Sequence, residues 1–315
     1  MILKTTYQNY FDKPSREDCL IWGFGHEKRN SLQVLSDWKN KTKNAKIIIL
    51  TSNEDKKILV DHLDLLNLNN EVLIIEFDNF GELEDKNLTE FVSYFDNQKS
   101  NCKITIDVTG ISREHLLIIL HLLRSSGKSN IQIAYISCEY GKYKVGNYSL
   151  PQNIKFFEGK PILGKPIAMI LLAGYEKMAC EVIINTYQPN LLFIGFSDKP
   201  IEQNQNLPER ATVNELTKNY TGKADMITRE FEYKADDFNE TFKSLSNLIE
   251  KNSLNNNYNI ILASCTSKLA TVGMYLLHEK YPEAQCVYTA GKKEDLSKKV
   301  LNVFQKKLPK RSSDL

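Results

Sequence analysis

Apolar residues in this chain come in short unbroken runs. Each run stops at a cluster of polar and glycine residues and then gives way to helical spacing. In the first half the runs are 19–22, 45–51, 71–77, 103–108 and 131–137. A continuous apolar run bounded by turn residues is what a strand covered on both faces requires. Between the runs, 88–95 and 116–123 are spaced for helices, as is 30–38. A further helix carries Ile58, Leu59, Leu63 and Leu66, opened by the capping-type sequence Thr51-Ser52-Asn53-Glu54-Asp55. Strands alternating with helices in this way predict a doubly wound, mainly parallel α/β sheet.

Between residues 146 and 166 the rhythm breaks, with Pro151, Pro161 and Pro166 among Gly159 and Gly164. Such a stretch predicts a domain boundary. The expected organisation is an N-terminal lobe over 1–146, a linker over 147–166, a C-terminal lobe over 167–304 and a basic tail over 305–315. Past the break the same grammar restarts. An apolar strand runs into Ala173-Gly174-Tyr175-Glu176-Lys177, and 191–194 leads into Gly195-Phe196-Ser197-Asp198. Residues 200–257 are harder to read, although 236–251 is helical, with Phe238, Phe242, Leu245 and Leu248 on one side. The strand 258–263 ends in Ser264-Cys265-Thr266-Ser267-Lys268, followed by an apolar helix over 269–278 and a last strand over 285–289.

Laid on each other without gaps, Gly25-His26-Glu27-Lys28 falls on Gly174-Tyr175-Glu176-Lys177. Thr109-Gly110 falls on Thr266-Ser267, a register in which Leu120-His121 meets Leu277-His278. This reads as an internal duplication: two tandem Rossmann-like lobes related by a pseudo-two-fold and facing each other across a cleft.

Composition narrows the classes. A net charge of +2 does not indicate a dominant nucleic-acid-binding face. No apolar run approaches the roughly 18 residues needed to cross a bilayer, and residues 1–14 lack the apolar core of a signal peptide. The expectation is a cytoplasmic protein away from membranes. The six cysteines form no CxxC pair and the five histidines no HExxH, so structural thiols and no metal are expected. The abundance of Asn, Lys and Ile suggests an AT-rich bacterial source.

The chemistry concentrates at strand ends. Gly23-Phe24-Gly25 resembles the start of a dinucleotide fingerprint, but Lys28 replaces the third glycine, and no GxxxxGK[ST] sequence exists. Glu27 and Glu176 open helices in both lobes, where a carboxylate accepts a ribose hydroxyl, acts as a general base, or complements the helix dipole. Asp107, Thr109, Gly110, Ser112 and Arg113 form the strongest constellation, joining hydroxyls and backbone N–H groups suited to phosphate with a guanidinium fork. Ser264, Thr266, Ser267 and Lys268 occupy the equivalent place in the second lobe, without the acid. Gly25, Ser52, Gly174 and Ser197 complete the expected ligand face.

The turn Ile106-Asp107-Val108-Thr109-Gly110 resembles the strand-turn signature of the CRISPR-associated Rossmann fold (CARF) and related Rossmann-like nucleotide sensors. Asp107, Thr109 and Gly110 match, whereas Ile111-Ser112-Arg113 stands where a second Gly and Thr-Lys belong; Thr266-Ser267-Lys268 keeps the basic residue in the other lobe. The resemblance implies binding of an oligonucleotide second messenger across a two-fold, with the signal relayed in prokaryotic immunity. No effector nuclease domain is recognisable, so relay would require a protein partner or a homo-oligomer. The expected function is thus a nucleotide-recognising sensor or accessory subunit of a bacterial defence or stress system, its nucleotide or other phosphate-bearing ligand held between the lobes. Two alternatives stay open: a nucleotide-directed hydrolase or glycosidase using Glu27 or Asp107 as acid–base, and a structural adaptor in a protein complex.

Overall fold

The computed structural model describes residues 19–24, 45–52, 55–56, 59–60, 71–77, 85–138, 144–174, 176–197, 208–223, 225–294 and 300–307. The chain divides into two compact units, Met1–Tyr143 with Asp295–Leu315, and Lys144–Glu294.

The first unit is built on a six-stranded sheet of β1 (Cys19–Phe24), β2 (Lys46–Ser52), β3 (Val72–Phe77), β4 (Ile104–Asp107), β5 (Ile131–Cys138) and β14 (Val300–Lys307), in the spatial order β3-β2-β1-β4-β5-β14. The first five are parallel, and β14 runs antiparallel to β5. Helices α1 (Asp85–Asp96) and α2 (Arg113–Ser125) belong to this unit. Ile21, Ile47, Ile48, Ile49, Ile104 and Ile106 are fully buried, which explains the unbroken apolar runs.

The second unit carries β7 (Gln152–Asn153), β8 (Ile167–Leu172), β9 (Leu191–Ser197), β10 (Ile227–Tyr233), β11 (Asn259–Ser264) and β12 (Gln285–Tyr288), ordered β10-β9-β8-β11-β12-β7. Its helices are α3 (Lys177–Tyr187), α4 (Pro208–Tyr220), α5 (Phe238–Lys251), α6 (Leu254–Asn257) and α7 (Lys268–Lys280). Met169 and Leu171 of β8, Leu192 and Ile194 of β9, and Ile261 and Ala263 of β11 pack on one side with Cys180, Ile183 and Ile184 of α3 and Val213 and Leu216 of α4. Alternate strand residues thus share one core. Across α5 and α7, a Cβ at Gly273 would come within 2.7 Å of Thr241 and 2.8 Å of the Phe238 carbonyl oxygen, so this close crossing needs glycine.

Both units are therefore α/β with mainly parallel sheets. The five parallel strands recur in the same order, third-second-first-fourth-fifth along the chain. This is the doubly wound arrangement in which the direction of winding reverses beside the first strand.

Three expectations need correction. The Pro- and Gly-rich stretch is not a free linker: Ile154 and Phe157 are buried, β7 pairs with β12, and the Phe157 ring lies 4.6 Å from that of His278. Its prolines and glycines punctuate packed turns. The expected C-terminal lobe and basic tail divide at 304–305, within a strand, since β14 completes the first sheet. Lysine near an edge strand is a common protection against further pairing, and in the sequence it masked the strand. Finally, strand register sets Trp22 level with Asp107 in one sheet and Leu172 level with Ser264 in the other, so the counterpart of Gly174 in the first unit is Phe24 and not Gly25.

Entry to and exit from the second unit are side by side. Strands β6 (Lys144–Tyr148) and β13 (Gly291–Glu294) pair antiparallel, with Lys144 opposite Glu294. Among the described residues no helix is long and apolar enough to cross a membrane.

Candidate functional site

In each sheet the winding reverses beside the first strand, between β1 and β4 in one unit and between β8 and β11 in the other. A crevice outside the carboxyl ends of those strands is where open α/β sheets take ligands.

In the first unit the junction is set by two glycines in backbone contact. A Cβ at Gly23 would come within 2.6 Å of Ile111 Cγ1 and 2.7 Å of the Gly110 carbonyl carbon, and one at Gly110 would strike the Gly23 carbonyl oxygen. Asp107 ends β4 with 1% of its surface exposed, and its Oδ1 accepts from the Thr109 N–H at 2.9 Å. This side-chain turn is the usual work of an aspartate at a strand end. The Val108 N–H donates to the Ala134 carbonyl at 2.9 Å, and the Ile111 N–H to the Val108 carbonyl at 3.3 Å, closing the turn. Ser112 then caps α2, its Oγ accepting from the His115 N–H at 3.1 Å. Arg113 is the first helical residue.

The second unit repeats the cap. Ser267 Oγ accepts from the Ala270 N–H at 3.1 Å, and Lys268 opens α7. Gly174 lies against the Cys265 carbonyl and the Thr266 Cα, leaving no room for a Cβ. The turn from strand end to cap is two residues longer in the first unit. In the helix frame, therefore, Ser112-Arg113 corresponds to Ser267-Lys268. A gapless comparison of the halves misses that correspondence.

Several hydroxyls expected to face a ligand are engaged within the protein. Ser267 Oγ donates to the Ala235 carbonyl at 2.5 Å, and Ser197 Oγ accepts from the Ala235 N–H at 3.3 Å. Thr271 Oγ1 lies 3.2 Å from the Ser267 carbonyl, to which it donates, so Ser264, 2.9 Å away, is the donor in its contact with Thr271. These bonds lace together the ends of β9, β10 and β11, as buried hydroxyls require. Ser52 likewise caps a helical start, its Oγ accepting from the Asp55 N–H at 3.2 Å and donating to Asp55 Oδ2 at 3.0 Å. Thr109 and Thr266 are buried at their turns, 5% and 1% exposed. Gly25 and Glu27 lie outside the described residues.

Glu176 occupies the N-cap position of α3 but makes no side-chain cap bond. Its Oε2 instead accepts from the Tyr148 hydroxyl at 3.5 Å, a contact with the β6–β13 ribbon that the sequence did not signal. Below it, the hydrogen bond to Cys265 and complete burial push the Cys180 thiol well above its ordinary value, so it stays protonated and unreactive. Among the described residues no three His, Cys, Asp or Glu side chains gather as metal ligands do.

No protein-family model matches the chain, and no curated protein matches it. Among solved structures it is similar to a Type III CRISPR defence DNA nuclease activated by cyclic oligoadenylate, with a TM-score of 0.51 and 7% identity, over 82% of this chain and 64% of that one. The chain thus spans just under two thirds of the nuclease's length, and at that identity the likeness is one of fold. A universal stress protein from Archaeoglobus fulgidus DSM 4304 aligns with a TM-score of 0.26 and 10% identity, over 86% of this chain and 95% of the other. That score adds nothing to the fold assignment.

Proposed function

We propose that this chain is a nucleotide-recognising sensor or accessory subunit of a defence or stress system, of CARF-like type. Each unit offers its own place for the ligand where its winding reverses, at the carboxyl ends of β1 and β4 in the first and of β8 and β11 in the second. The observation that carries this reading is the repeated cap, Ser112-Arg113 on α2 and Ser267-Lys268 on α7. A helix N-terminus already presents free N–H groups and positive potential. A basic first residue is electrostatically unfavourable to the helix itself, yet both units carry one. The pairing of a basic side chain with a helix N-terminus favours an anion at the crevice, and a phosphodiester is an anion suited to the N–H groups of such a helix start. The fold likeness to a nuclease activated by cyclic oligoadenylate supports an oligonucleotide as the ligand.

The hydrolase reading loses support at Asp107, whose buried carboxylate holds its own turn.

Mass spectrometry of small molecules released from the purified protein, with a thermal-shift series of mono- and oligonucleotides including cyclic oligoadenylates, tests the proposal. A nucleotide returned intact should raise the melting temperature with its concentration, and Arg113→Ala and Lys268→Ala should reduce that rise. A cleaved nucleotide would favour the hydrolase, and no shift with any nucleotide would overturn the sensor.

A further inference from the structure

The opposite, amino-terminal rim of the second sheet displays aliphatic side chains on a rigid mount. Leu163 is 103% exposed, Ile162 54% and Ile227 57%. Ile162 and Leu163 sit in a turn closed by the Lys165 N–H donating to the Ile162 carbonyl at 3.2 Å. Gly164 takes the position after Leu163 with φ +84°, a conformation that glycine adopts without cost.

Asn259, the first residue of β11, holds this turn from beneath. Its Oδ1 accepts from the Ile162 N–H at 2.7 Å, and its Nδ2 donates to the carbonyls of Ile162 at 2.9 Å and Lys165 at 3.2 Å. Pro161 and Pro166 flank the turn. Along the same rim, Asn190 accepts from the Ile167 N–H at its Oδ1 and from the Ile227 N–H at its carbonyl, fixing the starts of β8 and β10.

A leucine left wholly in water contributes nothing to the fold that carries it. Here one side chain, two prolines and a glycine fix its position. Such preorganisation lowers the entropy cost of association. Lys160 and Lys165 bracket the aliphatic pair, and among the described residues neither enters an ion pair. The turn therefore presents an apolar tip between two lysines, on the rim opposite the carboxyl ends of the strands.

We propose that this turn is the docking point for a second, different protein chain, whose apolar pocket receives Leu163 and whose rim carries carboxylates facing Lys160 and Lys165. Charge complementarity selects that partner over an uncharged one, and the tip supplies the central anchor that interfaces concentrate their energy in. The surface does not depend on the nucleotide reading, so either can fail without the other.

The test places a photo-crosslinking side chain at position 163 of the full chain in its native cells. Captured proteins are identified, purified and titrated against wild-type and variant chains. The expected result is an adduct with one other protein that binds the wild type directly. Leu163→Asp should weaken that binding about tenfold or more while leaving the melting temperature unchanged, because the side chain is fully exposed. Lys160→Glu with Lys165→Glu should weaken it as well, by an amount that shrinks as salt rises. Adducts only with copies of this chain, adducts only with lipid, no adduct at all, or equal affinity for Leu163→Asp would each overturn the proposal.

Discussion

A positive side chain in the first turn of a helix opposes the helix's own dipole, and Arg113 and Lys268 hold that position in the two units. If they are kept for an anion, replacing them should separate stability from binding. Arg113→Glu and Lys268→Glu each relieve the helix dipole by a few tenths to about 1 kcal/mol, so the ligand-free protein should lose little stability. The same variants should lose the nucleotide-induced thermal shift. Urea denaturation without ligand and thermal shift with it measure the two effects on the same samples. A destabilised apo variant would mean that these side chains make structural contacts that outweigh the dipole. Ser112 and Ser267 predict the opposite pattern. As caps they support the helix, and their replacement by alanine should cost about 1 kcal/mol with or without ligand.

At the scale of elements, β14 is the piece that completes the first sheet from the far end of the chain. Ending the chain after Glu294 should expose the open edge of β5 and lower the melting transition of the first unit, leaving that of the second in place. Calorimetry resolves the two transitions, and an unchanged profile would show β14 to be dispensable. That strand also marks how far the sequence could be read. Strands β1, β2, β4, β8, β9 and β11 are buried along nearly their whole length and announce themselves as apolar runs such as Ile47-Ile48-Ile49-Leu50. The edge strands β10 and β14 carry no such mark: β10 reads Ile-Thr-Arg-Glu-Phe-Glu-Tyr, and β14 ends in two lysines. The strand-end turns were legible because their residues are consecutive. What their hydroxyls do was not, because Ser267 and Ser197 meet at Ala235, which lies 32 residues from one and 38 from the other. Tyr148 was missed for the same reason, its contact with Glu176 joining two segments that no local pattern connects.

For the whole molecule, phenols that are partly or fully buried predict alkaline sensitivity in both units. Burial, assisted by the nearby Cys19 and Cys102 thiols and Glu71, pushes the Tyr94 phenol well above its ordinary 10.0. Burial likewise raises Tyr187 and Tyr220. A phenol raised in the folded state gives up its proton first in the unfolded chain. Its contribution is therefore intact below the ordinary phenol value and fades as pH climbs through the folded one. Stability should fall progressively above pH 10, and Tyr94→Phe should flatten part of that fall; phenolate absorbance during unfolding follows it directly. The paired strands β6 and β13, which bring Lys144 beside Glu294, have a different consequence, one that belongs to synthesis. As the chain leaves the ribosome, the whole of 144–294 emerges as one uninterrupted length, able to close on itself before β14 has been translated. The first unit, begun earliest, is finished last, and throughout that interval β5 waits with its outer edge bare.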